Sequence, residues 1–320
     1  NNKCKTIKQN EKSFSEVFGE TLKREGEKDK KIVAITAAMC EGLYMSEFAS
    51  SFPDRFFDVG IAEQYAVTFG ASLAHKGLKP IVGIYSTFLQ RAYDQVIHDC
   101  CILKESVIFI VDRAGAVSDD GPTHQGSFDI SFLNPIPNNI IMSPSSASEL
   151  EKMFKWSLNN AKCPIFIRFP KDIASTHSYS EPIELGKSVV IKRGKDCTII
   201  ALGNLINIAL EASKILEENG LTVTLIDARF AKPFDSETIR EEALKTNFLV
   251  TLEDGVLEGG FGEKIIAFLN NEKIKNVRVL TFGLKEGFSP PLKRKKILEY
   301  SGLTKENIAN TIISEKSKIR

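Results

Sequence analysis

Short runs of β-branched and aliphatic residues alternate along this chain with longer segments of helical periodicity, and this alternation constrains the fold more than any other feature. The runs typical of buried strands are Ile32–Thr36, Pro80–Ile84, Val107–Val111, Ile140–Met142 and Ile165–Ile167, followed by Cys197–Leu202, Leu221–Ile226, Phe248–Leu252 and Val277–Phe282. Strands separated by helices form βαβ units, whose sheets are mostly parallel and covered on both faces. The sequence therefore predicts an α/β protein with doubly wound, mostly parallel sheets.

Two of the segments between strands carry a strong helical signal. Ser146 and Glu149 have the spacing of a capping box at a helix start. The apolar face that follows consists of Leu150, Met153, Phe154 and Leu158. A second amphipathic helix is predicted from the spacing of Leu205, Ile208, Ala209, Ala212, Ile215 and Leu216. Both helices are expected to cover a sheet with their apolar side.

A stretch rich in Ser, Thr, His, Tyr and Pro separates two such alternations. From Asp172 to Gly186 the strand and helix patterns end, as is typical of a linker. A length of 320 residues with 42% hydrophobic side chains is sufficient for two ordinary cores. We expect one domain over residues 12–178 and a smaller α/β domain over residues 181–320, with the boundary near Ser180.

Charge and cysteine content exclude several functional classes. The 42 Lys and Arg residues against 41 Asp and Glu leave no bulk field that would recruit nucleic acid or a membrane. The basic run Lys293–Lys296 is accordingly interpreted as a solvated helix face. Cys4, Cys40, Cys100, Cys101, Cys163 and Cys197 lack C-x-x-C spacing, which argues against zinc and favours a reducing compartment.

Targeting signals are also absent from the sequence pattern. No apolar stretch approaches the ~20 residues that cross a bilayer, and the polar start Asn1–Lys12 lacks a signal-peptide core. We therefore expect a soluble protein whose chain continues upstream in its natural form.

Polar residues concentrate in four stretches that follow strands of the first domain. These stretches are Asp58–Gln64, Tyr85–Arg91, Asp112–Gly115 and Asp119–Gly126. Ligands of open α/β sheets bind outside the carboxyl ends of the strands, so these side chains are expected at one binding edge. Because arginine forks match phosphate and carboxylate groups, a phosphorylated or carboxylated small substrate is predicted.

In the runs Asp58–Gln64, Ile84–Gln95 and Asp112–Gly126 the chain resembles the 1-deoxy-D-xylulose-5-phosphate synthases, a branch of the transketolase-like thiamine diphosphate enzymes. The resemblance extends from about Phe14 to about Asn310 and favours the synthases over ordinary transketolases. It implies a transketolase-like pyrimidine-binding domain followed by a transketolase C-terminal-like domain. The implied transferase decarboxylates pyruvate and joins the two-carbon unit to D-glyceraldehyde 3-phosphate, supplying the methylerythritol phosphate route to isoprenoids and the synthesis of thiamine and pyridoxal.

The resemblance also implies which residues would hold thiamine diphosphate. Glu63 corresponds to the glutamate that hydrogen-bonds the pyrimidine ring and favours its imino tautomer. Its alternative is an ordinary helix-start carboxylate stabilised by the helix dipole. Phe88 corresponds to the aromatic ring that stacks on the aminopyrimidine, with core packing as its alternative. Ile61 is implied as an apolar support beneath the cofactor.

A second set of residues is implied around the acceptor substrate. Its polar members are Tyr85, Arg91, Arg113 and Lys171. Asp120 and His124 match the Asp-Gly-x-Thr-His motif, in which the aspartate and histidine face the reacting carbons and hydroxyls. A histidine that titrates near neutrality suits proton transfer.

The sequence departs from the synthase pattern at two of these positions. Tyr65 stands where the synthases usually have histidine. Lys171 stands where they usually have arginine, so it keeps the charge but loses the bidentate fork.

The family's Gly-Asp-Gly segment, which binds Mg²⁺ and the diphosphate, does not occur in this sequence. Leu252–Val256 lacks the first glycine, and Leu257–Gly262 is interpreted as a tight strand-to-helix turn. No metal site is therefore predicted here, and an upstream diphosphate-binding domain would hold Mg²⁺. We expect the isolated chain to be inactive, the intact enzyme to be a homodimer, and its location to be a bacterial cytoplasm or a plastid stroma, including that of the apicoplast.

Other interpretations stay open. A split transketolase or the beta subunit of a 2-oxo acid dehydrogenase would naturally lack the Gly-Asp-Gly domain, although Ser86–Arg91 and Asp120–His124 favour the synthases. A non-catalytic interaction module could keep the fold, although the presence of Glu63 argues against it. Finally, the first domain of a longer chain could have been removed by proteolysis or deliberate truncation.

Overall fold

Two sheets of mostly parallel strands form the frame of the chain. The structure is a computed structural model that describes residues 11–319, so Cys4 and most of the polar start lie outside the described residues. The strands are β1 Ile32–Thr36, β2 Phe56–Asp58, β3 Lys79–Tyr85, β4 Ile108–Asp112, β5 Ile140–Met142, β6 Ile165–Arg168, β7 Val189–Lys192, β8 Cys197–Ala201, β9 Val223–Asp227, β10 Phe230–Lys232, β11 Phe248–Val256 and β12 Arg278–Leu284.

Helices lie between most of these strands. They are α1 Phe14–Lys28, α2 Ser46–Ser51, α3 Glu63–His75, α4 Ser86–Leu89, α5 Tyr93–Gln95, α6 Asp129–Leu133, α7 Ala147–Asn160, α8 Ile206–Glu218, α9 Ser236–Thr246, α10 Phe261–Asn271, α11 Arg294–Tyr300 and α12 Lys305–Ile319. A π-helical segment, Val96–Cys101, follows α5. Within residues 11–319 no helix combines the length and the apolar character needed to cross a membrane.

The strand orders confirm the predicted α/β class. The first sheet has the order β10-β5-β6-β4-β3-β1-β2 and the second has the order β12-β11-β8-β9-β7. All neighbours are parallel except β10 beside β5 and β7 beside β9. All nine predicted strands are present. The sequence pattern missed β2, β7 and β10, which are edge strands of only three or four residues.

Strand β10 joins the two halves of the chain. It comes from the second alternation, yet it pairs antiparallel with β5 of the first sheet, with Phe230 opposite Met142. The ring of Phe230 meets Trp156 of α7 edge-on, with 6.4 Å between the ring centroids. One buried apolar cluster accordingly runs from the first sheet to one face of the second. The predicted boundary near Ser180 stays a prediction.

Helix α7 follows its predicted pattern on the apolar side. Its predicted apolar face is buried, and the Ser146 side chain accepts a hydrogen bond from the Glu149 amide at 3.2 Å. The other half of the predicted capping box was wrong, because the Glu149 carboxylate pairs with Arg229 at 2.7 and 3.0 Å. Both residues are almost fully buried, so this ion pair takes the carboxylate away from the helix cap.

The basic run at residues 293–296 differs from the prediction at one position. Its three lysines are exposed, but Arg294 is only 5% exposed and pairs with the buried Asp254. The interpretation as a uniformly solvated helix face was therefore wrong. A buried carboxylate close to the start of α11 explains why the second basic residue turns inward.

The turn between β11 and α10 was predicted correctly. The carboxylate of Glu253 accepts hydrogen bonds from the amides of Phe261 and Gly262, both at 2.8 Å. Burial raises the pKa of Glu253 to about 7, although these two amides favour its charged form. Since a side chain of the protein occupies the free amides at this helix start, the turn is not available as a phosphate cradle.

Replacing Glu149 by glutamine is expected to lower the free energy of unfolding by about 3–5 kcal/mol, because it leaves the buried Arg229 guanidinium without a counter-charge. Urea unfolding followed by the fluorescence of Trp156, the single tryptophan, measures this loss. The matched control is Glu151→Gln on the same helix, whose pair with Arg24 is more than a third exposed. That variant is expected to lose less than about 1 kcal/mol, and equal losses would contradict the prediction.

Stability should also depend on pH through Asp227 at the end of β9. Burial raises the pKa of Asp227 to about 6, whereas an unfolded aspartate titrates near ~3.9. The folded protein holds this proton more tightly, so the free energy of unfolding falls by about 2 kcal/mol as pH rises from about 4 to about 6. Asp227→Asn should remove this decrease in urea unfolding measured across the same pH range. A variant with the pH dependence of the parent protein would disprove the assignment.

Candidate active site

The carboxyl ends of the adjacent strands β3 and β4 carry the first pair of predicted site residues. Tyr85 is the last residue of β3, and Arg113 directly follows Asp112, the last residue of β4. The Arg113 guanidinium lies over the Tyr85 ring, with its central carbon 3.6 Å from the ring centroid. Burial raises the pKa of the Tyr85 hydroxyl, so this group stays a hydrogen-bond donor at neutral pH.

Aromatic contacts extend this pair to two further predicted residues. The Phe88 ring stacks on Tyr85 with 5.9 Å between centroids, and the His124 ring meets Phe88 edge-on at 5.4 Å. Phe88 is placed by α4, which starts immediately after β3. The structure thus brings Tyr85, Phe88, Arg113 and His124 into one connected group.

The carboxylate of Glu63 is buried at the first residue of α3. Its exposed fraction is 2%, and its Oε2 atom has no hydrogen-bond partner among the described residues. Arg91 Nε lies 3.3 Å from this oxygen and forms an ion pair with it, but no hydrogen bond. A buried acceptor without a donor is costly, so this oxygen is suited to a donor from a ligand.

Asp120 and Lys171 form a partly exposed ion pair at 3.2 Å. Lys171 follows β6, and it shares an open cavity of about 600 Å³ with Arg113. The remaining lining residues are Ser13, Ser15, Glu41, Gly42, Tyr44, Ser46 and Glu47. Two cationic side chains at one cavity wall suit an anionic group, while the two glutamates limit the net positive charge.

Ser15 was missed by sequence reasoning, and Asp112 was noticed only as the first residue of a polar stretch after a strand. Ser15 donates a hydrogen bond to the fully buried Asp112 at 2.7 Å, and Asp112 in turn pairs with Arg113 at 3.1 Å. Burial raises the pKa of Asp112, although Arg113 and Ser15 favour its charged form. The capping-box pair Ser13 and Glu16 at the start of α1, which the structure contains in full, was the available signal.

Gly42 approaches the site without any recognisable sequence signal. A β-carbon built on Gly42 would lie 1.7 Å from the Tyr85 hydroxyl oxygen and 3.0 Å from Arg113 Nη2. The close approach leaves room for glycine only. No strand, helix or motif marks this position in the sequence, so its role depends on tertiary contacts.

Two predicted positions near Glu63 have exposed side chains. The side chains of Ile61 and Tyr65 are 74% and 57% exposed, and Tyr65 stacks on Phe69 with 5.7 Å between ring centroids. The cofactor role of Ile61 and the effect of the Tyr65 departure stay predictions.

The site fits one half of a ring-bearing cofactor by its own chemistry. Glu63 offers a buried acceptor and Phe88 offers a half-buried aromatic face, which together suit a flat ring that carries a hydrogen-bond donor. Among residues 11–319, no three His, Cys, Asp or Glu side chains are grouped so that they could hold a metal ion.

Comparison with known proteins identifies both halves of the chain. Residues 10–175 match the family "Transketolase, pyrimidine binding domain", and residues 186–308 match "Transketolase, C-terminal domain". The 1-deoxy-D-xylulose-5-phosphate synthase of Caldanaerobacter subterraneus subsp. tengcongensis is 46% identical over 99% of this chain and 51% of its own length. That of Halothermothrix orenii is 47% identical over 87% of this chain and 44% of its own length. The chain thus spans about half the length of the curated relatives it matches.

Solved structures give the same fold. A structure described as "Split gene transketolase, inactive beta4 tetramer" has a TM-score of 0.86 and 29% identity, covering 95% of this chain and 98% of that one. A transketolase from Campylobacter jejuni has a TM-score of 0.80 with 18% identity, covering 94% of this chain and 46% of its own. The two curated relatives named above are 1-deoxy-D-xylulose-5-phosphate synthases, and the chain belongs to the transketolase family, of which it comprises the pyrimidine-binding and C-terminal domains.

Proposed function

We propose that this chain is the pyrimidine-binding and C-terminal part of a thiamine diphosphate-dependent 1-deoxy-D-xylulose-5-phosphate synthase. The observation that carries the proposal is the buried Glu63 carboxylate, whose Oε2 atom lacks a hydrogen-bond partner within the described residues. The names of the relatives that are 46% and 47% identical support the choice of reaction. The intact enzyme would decarboxylate pyruvate and transfer the two-carbon unit to D-glyceraldehyde 3-phosphate.

In this proposal Glu63 and Phe88 bind the pyrimidine half of the cofactor. The Oε2 oxygen of Glu63, which lacks a hydrogen-bond donor, accepts a hydrogen bond from the ring, and Phe88 supports the ring through its aromatic face. Ile61 would add an apolar contact from the turn before α3. Thiamine diphosphate, when bound, supplies the electron-accepting chemistry that cleaves the bond next to a ketone.

The acceptor side of the site is assigned to residues with charge or titratable groups. Arg113 and Lys171 would hold the phosphate of glyceraldehyde 3-phosphate from the cavity they share. The Tyr85 hydroxyl, which lies next to the lining residue Gly42, would donate a hydrogen bond to the same substrate. His124, next to Phe88, would move a proton to or from the acceptor oxygen. Asp120 would orient the acceptor hydroxyls.

Arg91 has a different setting from the other candidate substrate residues. Its guanidinium lies against Glu63, and half of its side chain is exposed. Because Glu63 itself is only 2% exposed, departure of this guanidinium is costly unless a donor from a ligand replaces it at the carboxylate. We propose that Arg91 screens Glu63 until the cofactor ring enters and then reaches the substrate side.

The intact enzyme is proposed to need parts that this chain does not provide. An upstream domain would bind the diphosphate and Mg²⁺, and two copies of the intact protein would form a homodimer. The isolated chain would then be inactive. The proposed location is the bacterial cytoplasm, with a plastid stroma as the alternative.

A second candidate is one chain of a transketolase encoded in two pieces. It is favoured by one observation, the match to 98% of the split transketolase chain at a TM-score of 0.86. A product assay of the intact assembly distinguishes the two candidates. Pyruvate with glyceraldehyde 3-phosphate should yield product, and a ketose donor with ribose 5-phosphate should not; the reverse result would favour the split transketolase.

Glu63→Gln in the intact enzyme should lower kcat/KM by at least about 100-fold, because the amide is a weaker acceptor and carries no charge to favour the ring tautomer. The matched control is Glu237→Gln, which removes an exposed carboxylate from the first turn of α9. If Glu63 were only a helix-start carboxylate, both variants would keep full activity and lose a few tenths of a kcal/mol of stability. Steady-state kinetics and urea unfolding of both variants distinguish a cofactor-binding Glu63 from a helix-start carboxylate.

A calorimetric titration of thiamine diphosphate with Mg²⁺ into the 320-residue chain is expected to show no magnesium-dependent binding. The reason is that a hard divalent ion needs several oxygen ligands beside the diphosphate. Tight binding that requires magnesium would show that the chain holds its own metal ligands, and it would contradict the upstream-domain proposal.

A further inference from the structure

The two acceptor-side residues Asp120 and His124 sit on one loop after β4, which we name the motif loop and define as residues 115–126. Its ends are joined by a pair of backbone hydrogen bonds. The Gly115 amide donates to the Gly126 carbonyl at 2.7 Å, and the Gly126 amide donates to the Gly115 carbonyl at 2.9 Å. The base of the motif loop is therefore closed, and its geometry depends on what holds residues 115–118.

Side chains from the second sheet and its helices hold this base. Asp254 Oδ1 accepts a hydrogen bond from the Ala116 amide at 2.9 Å, and Arg294 Nη1 donates to the Ala116 carbonyl at 2.6 Å. Arg294 Nη2 also donates to Asp254 Oδ2 at 2.5 Å, and the Arg294 amide donates to Ser118 Oγ at 3.0 Å. Both backbone groups of one loop residue are thus bound by one buried ion pair.

Asp254 lies so close to the motif loop that only glycine fits at residue 115. Gly115 has a φ of +75°, and a β-carbon built there would lie 2.0–2.2 Å from the Asp254 carboxylate atoms. Further along the loop, the Asp119 amide donates to the Leu292 carbonyl at 3.1 Å. The second half of the chain therefore contacts the motif loop up to the residue before Asp120.

We propose that Asp254 and Arg294 are positioning residues, which fix the motif loop so that Asp120 and His124 face the acceptor substrate. The effect of Asp254 and Arg294 on catalysis rests on the proposed function. Their hydrogen bonds to the motif loop are independent of that function. The C-terminal domain then acts on the reaction through the backbone of Ala116, without touching the substrate.

The competing explanation is that this ion pair only stabilises the contact between the two sheets. Glu149 and Arg229 form a pair of the same kind, equally buried, and Arg229 bonds to the carbonyls of Glu181 and Pro182 rather than to the motif loop. Glu149→Gln therefore serves as the matched control, because it costs stability at the same interface and leaves the motif loop untouched.

The test compares Asp254→Asn, Arg294→Met and Glu149→Gln in the intact protein. Hydrogen exchange is followed at Gly115, Val117 and Gly126, whose amides donate within the motif loop and not to Asp254. Exchange at these amides should be at least about tenfold faster in the first two variants and unchanged in the control. The variants should also raise the KM for glyceraldehyde 3-phosphate about tenfold and lower kcat, with the affinity for thiamine diphosphate unchanged.

Three results would overturn the proposal or separate it from the proposed function. Unchanged loop exchange in folded Asp254→Asn and Arg294→Met protein overturns it, as does equal acceleration in the control. If Asp254→Asn fails to fold, the double variant Asp254→Asn with Arg294→Met carries the same test, since it leaves no unpaired buried charge. Faster loop exchange in a protein that forms no product from pyruvate and glyceraldehyde 3-phosphate supports the positioning role and contradicts the proposed reaction.

Discussion

Burial of arginine charge between the two sheets is the constraint on which the arrangement of this molecule depends. The buried pairs are Arg168 with Asp129, Arg229 with Glu149, and Arg294 with Asp254. Their side chains are at most 6% exposed, so each charge is tolerated only with a partner in hydrogen-bonding position. Arg168 also donates to the Asp254 carbonyl at 2.7 Å. All three arginines therefore fix the relative placement of the two sheets. They thereby also fix the surroundings of the candidate site at the edge of the first sheet.

The fold was predictable from the sequence to the extent that a local pattern specified it. Buried parallel strands are continuous apolar runs, which is why β1, β3, β4 and the other inner strands could be assigned by composition alone. The short edge strands β2, β7 and β10 could not, because their position is specified by the neighbouring strand, whereas the longer edge strand β12 was predicted. Strand β10 is the clearest case, since nothing within Phe230–Lys232 shows that its partner is β5, almost ninety residues earlier.

The residues of the candidate site were likewise predictable only where a local sequence pattern specified them. Residues that follow inner strands, such as Tyr85 and Arg113, were placed by the rule that ligands bind at strand carboxyl ends, and the structure brings them into contact. Residues defined by tertiary approach gave no such signal. Gly42 lies in an irregular segment, and Arg294 looked like one of four surface charges until its buried partner Asp254 was located. Single-sequence patterns report the environment of a segment better than the partner of a side chain.

The pairing of β10 with β5 bears on how the chain is made. The ribosome synthesises the N-terminal part of the chain first. Until residue 232 has emerged, strand β10 cannot pair with β5, and β5 remains an edge strand with unpaired backbone groups. An open edge of this kind invites pairing with other chains. A gene divided at the linker would therefore yield a first half that has all its helices but exposes β5 as an aggregation-prone edge strand. The linker between the two domains is for this reason an unfavourable position at which to divide the chain.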